Sequence, residues 1–149
     1  TAPLALEDKL RARPDGDVVF PHVRDAIGDA LRRAELDDVW GIDAIEVHDC
    51  FSISEYAAID HAGITPPGKS WKAIEDGTVA IDGRLPINPS GGLLGLGHPV
   101  GATGVRMVLD AWKQVTGMAG DYQVEGADRV MTINIGGSFS TVASFVVAG

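Results

Sequence analysis

Residues 88–104 read Asn88-Pro-Ser-Gly-Gly-Leu-Leu-Gly-Leu-Gly-His98-Pro-Val-Gly-Ala-Thr-Gly104, and six glycines lie in this one segment. Glycine at such density lets a backbone approach a ligand closely or turn at positive φ. His98 lies directly before Pro99 at a predicted helix start, where the helix dipole disfavours a charged imidazolium ring. A neutral ring can accept a thiol proton or donate a hydrogen bond to an oxyanion. A structural glycine loop with a capping histidine explains the same pattern.

The residues on the N-terminal side of this segment predict a helix, a strand and a second helix. Residues 22–34 carry apolar residues at helical spacing on one face, namely Val23, Ala26, Ile27, Ala30, Leu31 and Ala34. Residues 43–48 predict a strand. Ser52 and Glu55 form an S-x-x-E capping box for the next helix, and Gly63 closes it. A short helix is predicted near Trp71–Asp76 within a surface excursion over residues 64–87.

The residues on the C-terminal side predict a third helix and a β-hairpin. Pro99 is expected in the first turn of the helix and Gly117 at its end, with one apolar face formed by Val105, Val108, Leu109, Trp112 and Val115. The runs 129–135 and 141–147 predict two strands joined by residues 136–140. This order indicates an α/β domain in which a mixed β-sheet is layered with α-helices.

Composition bounds the class of protein. The chain has 149 residues, 45% hydrophobic and 22% charged, which is typical of one globular domain. We expect a linker or loop over residues 1–19 and one domain over residues 20–149. The net charge of −9 argues against a nucleic-acid or anionic-membrane partner. We expect no membrane span, and a single cysteine leaves no internal disulfide or thiolate metal site, which fits a cytoplasmic protein.

Two further segments carry candidate chemistry. His48-Asp49-Cys50-Phe51 follows the predicted strand, and a cysteine just before a helix N-terminus lies where the dipole favours the thiolate. Taken alone, Cys50 is equally explained as a small buried apolar residue and His48 as a packed histidine. Asn134-Ile-Gly-Gly-Ser138 lies at the hairpin, where glycine amides form either a donor pair or an ordinary tight turn.

Together the three segments resemble the thiolase superfamily, from roughly residue 20 to the end. The run NPSGGLLGLGHPVGATG resembles the histidine motif of thiolases, and HDCF resembles the motif of sterol-carrier-protein-type thiolases, where most thiolases carry Asn-Glu-Ala-Phe. NIGG resembles the late Cys-x-Gly loop, with Asn134 at the position of the usual cysteine. The resemblance implies the C-terminal half of a thiolase or acetyl-CoA acetyltransferase-like protein, of bacterial type.

The resemblance implies roles for individual residues. His98 matches the histidine that activates the nucleophile and lines an oxyanion hole, Cys50 the acid/base cysteine, and His48 the other oxyanion-hole position. The backbone N–H of Gly136 matches the late-loop donor. Asn88, Gly95, Gly97 and Asn134 are expected in the substrate-binding loops. The substrates implied are coenzyme A thioesters, with no covalently bound cofactor and no metal, in lipid metabolism such as fatty acid or sterol degradation.

The resemblance also implies that an essential residue lies outside this sequence. Thiolases take the acyl group on a cysteine of their N-terminal half, and Cys50 belongs to the other motif. We expect a fragment of a longer enzyme, which the start at Thr1 favours, or a subunit of a split enzyme, or a non-catalytic relative. We therefore expect an N-terminal thiolase half as partner, a homo- or hetero-oligomer, and an exposed apolar face on this chain.

Two alternatives to an acyltransferase stay open on sequence. One is a retro-aldolase subunit on the same scaffold, although those relatives carry tyrosines where this chain has His48 and His98. The other is a module that binds acyl-CoA or a partner without catalysis, since fold alone does not determine activity.

Overall fold

A computed structural model describes residues 20–149, so the linker predicted over residues 1–19 lies outside the described residues. The strands are β1 (Ala44–Val47), β2 (Arg129–Gly136) and β3 (Thr141–Ala148). The helices are α1 (Pro21–Arg33), α2 (Ser52–Ala62), α3 (Ser70–Glu75), α4 (Gly92–Leu96) and α5 (Thr103–Val115), and 3₁₀ turns lie at Val39–Gly41 and Gly120–Tyr122. The predicted α/β class with a mixed sheet is confirmed.

The sheet has the order β1-β2-β3 and brings the end of β1 beside the end of β2. β1 runs parallel to β2, with Val47 opposite Ile133, and β2 pairs with β3 as the predicted antiparallel hairpin. On its other side β1 forms hydrogen bonds with the start of the glycine-rich segment, where Asn88 N–H donates to the Ile45 carbonyl at 2.8 Å. Since the predicted site segments follow β1, this bridge and β2, they meet at one edge of the sheet.

Helices cover the sheet on both faces. Side chains alternate between the two faces of a strand, and Ile45, Val47, Met131 and Ile133 form the main core with α1 and α2. The opposite face meets α5 through the small residues Ala44, Val130 and Ala111. That interface also buries polar groups, since Asp110 of α5 accepts hydrogen bonds from Lys113 Nζ at 3.1 Å and from the Tyr122 hydroxyl at 3.2 Å.

The glycine-rich region differs from its predicted form. Residues 92–96 form the short helix α4, which the sequence pattern did not predict. α5 begins at Thr103, so Pro99 lies before the helix and not in its first turn. Instead, the Pro99 carbonyl accepts the N–H groups of Ala102 and Thr103 in a turn that leads into α5.

The capping box predicted at α2 is wrong. Phe51 is the N-cap residue of α2, and no side chain there caps the helix. The Glu55 carboxylate is used elsewhere, because it accepts a hydrogen bond from Asn88 Nδ2 at 3.1 Å. The predicted helix end is confirmed, since Gly63 closes α2 at φ 76°.

Three of the five residues of the apolar face predicted for the third helix lie on the outside of the described chain, whereas Val115 packs against the buried cluster of Ala44, Ala111 and Val130. Val105 is 74% exposed, and Leu109 and Trp112 are each 45% exposed, whereas Met107, Asp110, Ala111 and Gln114 face the sheet. We call Val105, Leu109 and Trp112 the apolar stripe of α5. The exposed apolar face expected from the sequence is therefore present.

Glu46 of β1 is a fully buried carboxyl group and makes stability depend on pH. It accepts hydrogen bonds from Ser90 N–H at 3.1 Å and Ser90 Oγ at 2.7 Å, yet burial raises its pKa from 4.5 to about 7. Between these two pH values the folded chain holds a proton that the unfolded chain releases. The free energy of unfolding therefore falls as pH rises through this window.

We expect Glu46→Gln to remove this pH dependence. The glutamine keeps an oxygen for the Ser90 N–H but does not titrate. Urea unfolding should show that the free energy of unfolding of the wild type falls between pH 5 and pH 8. This fall should exceed the fall in Glu46→Gln by up to about 3 kcal/mol. Exposed Glu75→Gln is the control, and equal losses in wild type and Glu46→Gln would contradict a titrating Glu46.

Candidate active site

The end of β1 places His48 and Cys50 at the sheet edge. His48 N–H donates to the Ile133 carbonyl of β2 at 3.0 Å, which extends the pairing of β1 with β2 by one residue. The backbone then turns, with Asp49 N–H donating to the Val47 carbonyl at 3.0 Å, and α2 begins at Ser52. Cys50 lies in this turn, half-buried, with Sγ 3.8 Å from Ser54 Oγ.

His98 is oriented by Thr103. The Thr103 hydroxyl donates its one proton to the Pro99 carbonyl at 3.1 Å, and the same oxygen lies 2.7 Å from His98 Nδ1. When the hydroxyl proton points at Pro99, Thr103 Oγ1 accepts the hydrogen bond from His98 and Nδ1 carries a hydrogen. In that tautomer the neutral ring has its free lone pair on Nε2, the arrangement that a general base requires.

The two histidine rings meet edge to face. Their centroids are 4.9 Å apart and their planes make an angle of 89°. Burial and the neighbouring charge of His98 lower the pKa of His48, partly offset by Asp49. A lowered pKa keeps the His48 ring neutral at physiological pH, and a neutral ring can still donate one hydrogen bond.

The three predicted catalytic side chains, His48, Cys50 and His98, line one cavity of about 490 Å³. Its lining consists of His48, Cys50, Phe51, Ser54, His98, Val100, Ile135, Gly136, Gly137, Ser138 and Phe139. Residues from β1, the segment after α4 and the β2–β3 loop thus share one space, although they are distant in sequence. A few polar groups within an apolar lining are typical of a small-molecule site.

A second cavity of about 220 Å³ adjoins the first and contains Asn134. His48 and Gly136 line both cavities, and Thr103 and Gly104 also line the second. Asn134 Nδ2 donates to Thr132 Oγ1 at 3.3 Å, whereas Asn134 Oδ1 is buried without a partner among residues 20–149. Asn134 therefore has an unused acceptor and lines a cavity that His48 also lines.

The other predicted loop residues lie away from these cavities. Asn88 uses its side chain inside the protein, where Oδ1 accepts the Val47 N–H at 2.7 Å and Nδ2 donates to Glu55. Gly95 lies within α4, and Gly97 closes that helix at φ 98°. None of the three lines either cavity.

Some cavity residues were not singled out from sequence. Phe51 directly follows Cys50 and Val100 lies two residues after His98, so sequence proximity was an available signal. Phe139 gave none, since its position depends on a loop in which Ser138 and Phe139 adopt φ 53° and 66°. Its ring stacks on Phe20 with centroids 3.9 Å apart, and this contact supports a backbone conformation that is strained for non-glycine residues.

The described part of the chain holds neither a candidate metal cluster nor a membrane-spanning helix. Within residues 20–149 no group of three or more His, Cys, Asp or Glu side chains could hold a metal ion. In the same range no helix combines the length and apolar character needed to cross a bilayer.

Comparison with known proteins identifies the family of this chain. The family model described as thiolase C-terminal domain-like matches residues 7–148. The chain belongs to this thiolase family. An acetyl-CoA acetyltransferase of Methanothermobacter thermautotrophicus is 50% identical over 102 residues, which are 68% of this chain and 27% of that protein. A sterol carrier protein 2 of Gallus gallus is 39% identical over 108 residues, 72% of this chain and 20% of that protein.

Other relatives agree on the fold and on the limited coverage. A benzoylsuccinyl-CoA thiolase subunit of Thauera aromatica is 33% identical over 96 residues, 64% of this thiolase-family chain and 25% of that subunit. The solved Ltp2-ChsH2(DUF35) aldolase superposes with a TM-score of 0.76 at 22% identity, over 87% of this chain and 32% of that one. The chain thus spans about a quarter of the length of the curated relatives it matches.

We expect Thr103→Val to release His98 from its Nδ1–H form. Valine has nearly the same shape at this buried position but cannot accept the hydrogen bond. In ¹⁵N-labelled chain, the ring nitrogen shifts of neutral His98 should show a protonated Nδ1 in the wild type and a mixture of tautomers in Thr103→Val. Thr103→Ser keeps the hydroxyl and should match the wild type. Identical shifts in wild type and Thr103→Val would refute the assigned orientation.

Proposed function

We propose that this chain carries the acid/base and oxyanion-binding side of a thiolase-type acyl-CoA acyltransferase. The complete enzyme catalyses Claisen condensation of two acyl-CoA thioesters, or the reverse thiolytic cleavage of a 3-ketoacyl-CoA. The observation that carries this proposal is the convergence of Cys50, His48 and His98 on one cavity. The proposal concerns the complete enzyme, because the acyl-accepting cysteine does not lie in these residues.

The first step uses His98. Its Nε2 takes the proton of a cysteine thiol supplied by the N-terminal half, and the thiolate attacks the carbonyl carbon of the first acyl-CoA. The new bond is a thioester to that cysteine, the coenzyme A thiolate leaves and takes a proton from solvent, and His98 keeps the transferred proton on Nε2. Because Nδ1 already carries a hydrogen bonded to Thr103, the ring that receives this proton is held in place throughout.

The second step uses Cys50 and the histidine pair. Cys50 thiolate removes a proton from the α-carbon of the second acyl-CoA, whose carbonyl oxygen accepts hydrogen bonds from the His48 and His98 rings. The resulting enolate carbon attacks the acyl thioester and expels the cysteine thiolate, which leaves a 3-ketoacyl-CoA. The thiolate then takes back the proton held on His98 Nε2, and Cys50 releases the α-proton to solvent. The lowered pKa of His48 keeps its ring neutral. A neutral ring can donate its one N–H to the negative charge that develops on the carbonyl oxygen.

The partner is an N-terminal thiolase half, on the same polypeptide or on another subunit. The apolar stripe of α5 supports this, since its three large side chains remain exposed on the described chain. Exposed apolar surface rimmed by polar residues marks an interaction site. The small share of each relative's length that the chain covers agrees with a missing part.

Reconstitution tests the function directly. We expect the chain, co-expressed with the N-terminal half of a related thiolase, to form acetoacetyl-CoA from acetyl-CoA. Cys50→Ala should abolish condensation, by about 10³-fold or more, while the nucleophilic cysteine still becomes acetylated. His98→Ala should impair both steps. Steady-state rates and the mass of the acetylated cysteine peptide separate these outcomes.

Three results would each point elsewhere. Acyl-CoA binding without acetylation or condensation would make the chain a binding module. Cleavage of a 3-hydroxyacyl-CoA to an aldehyde or ketone would make it a retro-aldolase subunit. Equal and mild effects of Cys50→Ala and His98→Ala on both steps would contradict the separate roles given to these residues. Exposed Glu75→Gln is the matched control for handling and assembly.

A further inference from the structure

The glycine-rich segment is tied to β1 and the residues after it by buried side chains. Asn88 Oδ1 accepts the N–H of Val47, and Glu46 accepts both the N–H and the hydroxyl of Ser90. The last tie is made by Asp49, whose Oδ1 accepts the Leu93 N–H at 2.6 Å and whose Oδ2 lies 3.5 Å from the Leu94 nitrogen. Asp49 stands between His48 and Cys50 in sequence but does not line the cavity.

Asp49 reaches His98 through a short and continuous path. The Leu93 N–H is bound by Asp49, and the Leu93 carbonyl accepts the N–H of Gly97 at 2.9 Å. Gly97 directly precedes His98. Leu93 is only 4% exposed, so its position is also fixed by packing. A displacement of Leu93 would therefore also displace Gly97 and the backbone of His98.

Gly92 makes room for the Asp49 carboxylate. It has φ 61°, and a Cβ built on it would lie 2.6 Å from Asp49 Oδ1, far inside any real contact. Asp49 is itself only 3% exposed, so its carboxylate has no free volume into which to retreat. The position of the Asp49 carboxylate therefore requires a glycine at position 92, in addition to the requirement that the left-handed backbone imposes.

We propose that Asp49 is a positioning residue that sets His98 against His48 and Cys50 by holding the N-terminal end of α4. It touches no reacting atom. Its carboxylate fixes the distance between the segment that bears His48 and Cys50 and the segment that bears His98. The kinetic part of this proposal rests on the proposed function, whereas the structural part does not.

The structural test is hydrogen exchange in the natural polypeptide that contains this chain. In Asp49→Ala, amides in the peptide covering residues 90–97 should exchange at least about tenfold faster, because Leu93 loses its acceptor. Asp76→Ala is the matched control, since exposed Asp76 likewise accepts a backbone N–H, that of Thr78 at 3.0 Å, away from the cavity. Unchanged exchange in Asp49→Ala would overturn the proposal.

The kinetic test separates positioning from general loosening. Asp49→Ala should lower kcat by about tenfold or more while KM for acetyl-CoA stays within about twofold, because the catalytic ring is misplaced. Asp49→Asn keeps an oxygen for the Leu93 N–H and should restore most of kcat. A parallel change of kcat and KM, or failure of Asp49→Asn to restore kcat, would overturn the positioning role.

The pairing of Asp49 with Gly92 is tested by a double-mutant cycle. Gly92→Ala should lower kcat strongly, and its further effect in Asp49→Ala should be much smaller. Gly126→Ala is the control for left-handed backbone, with φ 72° and no atom near the added Cβ. Additive effects would overturn the pairing. If the wild type shows no acyl transfer, the proposed function fails, and hydrogen exchange alone still decides whether Asp49 holds α4.

Discussion

The structure depends on the hydrogen-bonded contact between β1 and the glycine-rich segment. Glu46 and Asp49 use buried carboxylates to bind Ser90 and Leu93, which lie 44 residues further along the chain. Burying a carboxyl group is costly unless it is hydrogen-bonded, and each of these accepts backbone N–H groups directly. Without this contact, the segment that carries His98 would have few bonds to the sheet. The relative positions of Cys50, His48 and His98 therefore follow from interactions that lie outside the cavity.

The two faces of α5 explain why this domain is suited to a partner. Its buried face contains Asp110 and Gln114, whose hydrogen bonds are made with the 3₁₀ turn at Gly120–Tyr122 and the residues after it. Its outer face is the apolar stripe. In a helix with one face on the sheet and the other in water this distribution would be reversed, because apolar side chains are stabilised by burial. The distribution fits a helix that lies between two layers, one of which is the sheet described here.

Most of the fold could be predicted from sequence, because helix α1, strand β1 and the hairpin have strong local periodicity. The error at α2 arose where a tertiary contact overrides a local pattern, because Glu55 fits a capping box but bonds Asn88, which is 33 residues away. The motifs singled out His48, Cys50 and His98, and the structure brings these three side chains to one cavity. The contacts of Thr103 and Asp49 could not be predicted, since they depend on which backbone groups lie near these side chains after folding.

The central claim is that Cys50 takes an α-proton from a CoA thioester bound between His48 and His98. The most direct measurement uses the complete enzyme with its acyl-accepting cysteine replaced by alanine, so that no acyl-enzyme forms. In D₂O, NMR should show deuterium entering the acetyl group of acetyl-CoA, with Cys50→Ala abolishing the exchange. Exchange that persists in Cys50→Ala, or no exchange in a folded enzyme that binds acetyl-CoA, would contradict the account.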